Sequence, residues 1–99
     1  MAKSKSPNIV WKVTTANGVV RYVSETAGIV LTVPPVGAAW TRTNRFDSIL
    51  VVVGDPMRLG FHEGTEMVWG QVLSRHPVRS IEPAGKGNPL DVWLRCRTL

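Results

Sequence analysis

The stretch Ser48–Ile49–Leu50–Val51–Val52–Val53 decides how the fold is read. It holds five consecutive apolar residues, four of them β-branched, and stops at the turn signal Gly54–Asp55–Pro56. A run so short and so apolar reads as a strand covered on both faces. Two-sided cover requires a neighbouring layer or a closed barrel, so the other strands are expected to fold over this one.

Working outward, the flanking sequence is punctuated at intervals near ten residues. On the N-terminal side, Ile9, Trp11 and Val13 alternate with Val10, Lys12 and Thr14, the period-two pattern of a half-buried strand. Asn17–Gly18 follows as a hairpin signal of the type I′ kind, and residues 19–24 should return antiparallel. A turn at Glu25–Thr26–Ala27–Gly28 leads into a third strand, which Pro34–Pro35 ends because neither proline can donate to a ladder. Between Val36 and Asp47, Thr41–Arg42–Thr43 reads as a short strand and Asn44–Arg45–Phe46–Asp47 as a loop with Phe46 as its plug.

On the C-terminal side, Met57 to Phe61 follows the turn and His62–Glu63–Gly64 is a tight connection. Residues 65–74 read as a strand covered mostly on both sides, with Gly70 marking a bulge. Pro77 opens a shorter strand, and 83–89 is a Pro- and Gly-rich loop. In 90–99, Leu90, Val92, Leu94 and Cys96 alternate with Asp91, Trp93, Arg95 and Arg97, which predicts a last strand with one apolar face. No stretch shows a helical apolar stripe over three turns. The expected fold is all-β: a small single-domain antiparallel β-barrel, SH3-like or OB-like, or a compact sandwich, of about six to seven short strands. Residues 1–7 are expected to form a flexible basic arm and 8–99 the domain.

Composition agrees with one small globular domain. Ninety-nine residues, 43% apolar and 19% charged, suffice for a core. Four tryptophans can anchor that core or mark a contact surface. A single cysteine, Cys96, allows no internal disulfide and cannot organise a zinc site; its alternation with core residues predicts a buried, inert thiol. Lys12 interrupts the apolar stretch after the basic start, so no secretory signal is read, and no apolar run reaches the roughly 20 residues of a membrane span. The expectation is a soluble intracellular protein, cytoplasmic or within a viral particle.

Catalytic patterns are absent from the spacing. His62–Glu63 lacks the second histidine of a zinc-protease helix, and Gly64 would break that helix. Ser74–Arg75–His76 has no nucleophile elbow, and Gly85–Lys86–Gly87 has neither the strand nor the helix of a phosphate loop. Asp47, Asp55, Glu63 and Glu66 lie near turns with no spacing that forces a carboxylate pair. No enzyme, cofactor, metal or small-molecule substrate is expected.

Charge points instead to a partner. The net +5 divides into +4 over residues 1–24, −2 over 25–74 and +3 over 75–99. In a small barrel the first and last strands often lie side by side, which would merge Lys12 and Arg21 with Arg79, Arg95 and Arg97 on one basic face. Trp93 would project from it opposite Arg79, and Lys3 and Lys5 of the arm would extend it. Such a face fits an acidic protein surface or a second copy, as in head-to-tail assemblies. It also fits a single-stranded nucleic acid, with Trp93 stacking on a base and the guanidinia on phosphates. The leading expectation is a non-enzymatic interaction module, a component of a larger assembly such as a viral or mobile-element structure. Nucleic-acid binding is the alternative.

Overall fold

The computed structural model describes residues 9–33, 42–73 and 75–97. Among these described residues eight antiparallel strands run β1 (Val10–Thr15), β2 (Val20–Ser24), β3 (Ile29–Val33), β4 (Arg42–Arg45), β5 (Ser48–Leu50), β6 (Arg58–Glu63), β7 (Glu66–Val72) and β8 (Val78–Pro83). One helix, α1 (Pro89–Arg97), follows. The strands form a five-stranded sheet in the order β4-β3-β2-β1-β8 and a three-stranded sheet in the order β5-β6-β7. The molecule is thus the small, mostly β, antiparallel domain expected, but two sheets and not a closed barrel.

The first hairpin closes where Asn17–Gly18 signals it, with a different turn. Only Gly18 has positive φ, at 87°, so the type I′ geometry does not form. The Thr15 amide donates to Val19 O at 3.0 Å and the Gly18 amide to Thr15 O at 2.9 Å, leaving a three-residue loop. The Thr15 hydroxyl, 2.6 Å from Asn17 Oδ1, holds the asparagine side chain inside that loop.

Each sheet uses the alternation of its strands. On one face of the large sheet Val13, Val23 and Val30 meet Met57 and Leu59 of the small sheet, with Phe46 plugging the corner as expected. The opposite face presents Val10, Ile29 and Leu31, and these are covered by α1 through Leu90. The order of layers is small sheet, large sheet, helix.

Two sequence expectations give way here. The run 48–53 is not a central covered strand: β5 is the outer strand of the small sheet, and Leu50, Val52 and Val53 are exposed while Ile49 and Val51 pack against the core. Beyond β5 the chain leaves its sheet, and Val53 forms an isolated parallel bridge to Val78 that ties the two sheets together. Likewise β7 is an outer strand, and Val68 and Trp69 are exposed instead of covered. Gly70 does mark a bulge, because Leu59 pairs with Gln71 while Gly60 pairs with Trp69.

The third correction is the last strand. Residues 90–97 are helical because Asn88 caps them: its Oδ1 accepts the Asp91 amide at 2.9 Å. Pro89 sits at the first helical position and Asp91 in the first turn, both favourable there. The apolar period is therefore Leu90, Trp93, Leu94 against the sheet, and not every second residue. Val92 and Cys96 are exposed, so the thiol is not buried. Among the described residues no helix is long and apolar enough to cross a membrane.

Candidate interaction surface

The outer face of the small sheet is the one sheet surface that no described element covers. On β6, Leu59 and Phe61 turn inward, as does Met57 just before it, so Arg58, Gly60 and His62 face out. Register then places Leu50 beside Arg58, Ser48 and Trp69 on either side of Gly60, and Met67 beside His62. A Cβ on Gly60 would lie 2.9 Å from both Met67 Sδ and Trp69 Cε3, so the two side chains rest directly on the β6 backbone. Trp69 nevertheless keeps 42% of its surface in solvent, and Leu50 46%. At the rim, Asp47 Oδ2 accepts the His62 amide at 2.7 Å and stands 3.5 Å from the imidazole Nδ1.

This face sets the apolar Leu50, Met67 and Trp69 among Arg58, His62 and Ser48, a mix of one aromatic anchor with polar neighbours that suits a contact surface. Its sheet carries the opposite charge from the rest of the molecule. Residues 48–73 hold Arg58 against Asp55, Glu63 and Glu66, a formal −2, which leaves +7 on the remainder. Between the sheets, Trp11, Val13, Val23, Ile49, Val51 and Ile81 line a cleft of about 300 Å³ with Glu25 at its wall. It is a continuation of the core that opens to solvent.

The residues selected from sequence do not share one surface. Lys12 pairs with Tyr22 and Val13 with Arg21, so Lys12 and Arg21 point to opposite faces of the large sheet. Lys12 lies on the helix side, 4.0 Å from Glu82. Arg21 lies on the inner side, 7% exposed, and its buried Nε and Nη1 have no hydrogen-bond partner. Desolvation by burial lowers its pKa below the ordinary arginine value. Arg79 is exposed on β8, in the bulge where Thr14 pairs with Ser80 and Thr15 with Val78. Trp93 is half-buried against the cluster under α1 and does not stand opposite Arg79; Arg95 is exposed on the same helix and Arg97 is its last residue. Lys3 and Lys5 lie outside the described residues.

The sequence reading singled out Trp93, whereas the tryptophan on the uncovered face of the small sheet is Trp69. Which tryptophan lies across Gly60 follows only from the β6–β7 register and its bulge. The chain matches no protein-family model, no curated protein and no solved structure.

Proposed function

We propose that this chain is a non-enzymatic interaction module, a building unit of a larger protein assembly, that docks through the outer face of its small sheet. The observation that carries the reading is the exposure of Trp69 and Leu50 together on a face that no described element covers. Grouped apolar side chains rimmed by polar ones are typical of contact surfaces, whereas scattered single ones need no explanation. A second copy of the chain is the partner whose charge fits best. Its basic bulk complements the acidic small sheet, and such a contact joins two different surfaces head to tail. A small unit of this kind suits the repeated architecture of a virus particle or mobile element.

Light scattering across a concentration series tests this. The native chain should gain mass with concentration, more so at low salt, and Leu50→Lys should abolish the gain. Leu50 is half-exposed on an outer strand, so the variant should fold. A native chain that stays monomeric at millimolar concentration and low salt overturns the reading.

A further inference from the structure

We propose that Arg21, Thr32 and Arg42 form a binding site for a phosphate-type oxyanion at the β4 edge of the large sheet. Register puts the three in one row: Arg21 pairs with Thr32, and Thr32 with Arg42. Directly paired residues of antiparallel strands share a face, so two guanidinia flank one hydroxyl on the inner side. Their Cα atoms are two strand spacings apart, about 9.6 Å, a gap that long side chains close from both ends. Arg21 and Thr32 are buried, while Arg42 is exposed on the outermost strand, which gives the row an open end.

Among the described residues no counter-charge pairs with this row. All seven of its Asp and Glu residues lie among the described residues, and none of them pairs with Arg21 or Arg42. The intervening segment 34–41 contains no acid either. Arg21 Nε and Nη1 are therefore donors fully removed from water with nothing to donate to. Buried guanidinium donors without partners are strongly unfavourable, and a second cation in the same row adds repulsion. An anion held between them removes both penalties. Planar guanidinia bind phosphate oxygens through paired N–H donors, and two of them match a dianion better than a single carboxylate would. Asn44, two residues along β4 on the same face, has a buried Oδ1 without a partner. Turning its amide over would present N–H donors to the same anion.

The site is independent of the outer face of the small sheet, and its test does not depend on association. Side-chain Nε–Hε resonances of arginine are followed by NMR in phosphate-free buffer while inorganic phosphate, a phosphate monoester or acetate is added. Inorganic phosphate should produce saturable shifts at Arg21 and Arg42, and Arg42→Gln should weaken that binding at least tenfold while the fold persists. Binding of the monoester as well identifies a phosphate group on a larger ligand; binding of inorganic phosphate alone identifies the free ion. Either result supports the site. Equal binding of acetate, shifts that never saturate, or an Arg42→Gln titration unchanged from the native one overturns it.

Discussion

The indole of Trp69 lies across the bare backbone of Gly60, with Cε3 only 2.9 Å from where a β-carbon would stand. Gly60 is thus what lets a large ring lie flat on the outer face of a sheet and remain at the surface.

Gly60→Ala should consequently act on the ring as well as on stability. The added methyl must displace Trp69 or Met67, and overpacking of this size costs about 1–3 kcal/mol. Urea unfolding should show that loss, and tryptophan fluorescence of the folded variant should shift as the ring moves. A variant with native stability and native emission would contradict the contact.

Removing the ring tests the surface. Trp69→Ala takes away the anchor of the proposed contact, and weaker self-association in light scattering is the expected result. Truncation of an interface centre typically costs about 2 kcal/mol or more of binding, roughly thirtyfold in affinity. Association unchanged by Trp69→Ala would place the contact elsewhere.

Arg21→Met should stabilise the protein in phosphate-free buffer, opposite in sign to most buried substitutions. It replaces an unpartnered buried cation by an apolar chain of similar length, a change worth about 1–4 kcal/mol where buried ions have been replaced. The pH dependence has a definite sign. Burial lowers the folded-state pKa of Arg21 below that of an exposed arginine, so the unfolded chain holds the proton more tightly. The penalty is full at neutral pH and fades only as pH rises through the folded-state value. A lower melting temperature for Arg21→Met would show that the guanidinium is satisfied.

The helix offers a local test of the corrected C-terminus. Asn88→Ala removes the cap that accepts the Asp91 amide and should cost about 0.5–2 kcal/mol. Leu90→Ala empties a fully buried position between α1 and the large sheet and should cost about 2–5 kcal/mol. Chemical denaturation measures both. If 90–97 were a strand, Asn88→Ala would change stability by a few tenths of a kcal/mol at most.

Much of the architecture was legible because its signals are local. The strand that contains Trp11, the turn at Asn17–Gly18 and the bulge at Gly70 each arise from one residue's backbone preferences or from the local pattern of a strand. The C-terminal segment misled because Leu90, Val92, Leu94 and Cys96 satisfy a period of two while Leu90, Trp93 and Leu94 satisfy 3.6. Asn88–Pro89 with Asp91 was the local signal that separates them, since an Asx cap, a proline at the first position and an early acid all favour a helix start.

The sequence by itself determined a small antiparallel β domain, the positions of most of its turns and the opposite charge of its middle and its ends. Only the tertiary structure decided that the apolar run at 48–53 lies at an edge, that Lys12 and Arg21 face opposite ways, and that Trp69 rather than Trp93 rests on an uncovered face. The reason is that alternation defines two faces of a strand but not which neighbour, layer or solvent each face meets. That choice is made by strand pairing across the chain, where one bulge or one edge position sends a side chain into the core or leaves it in water.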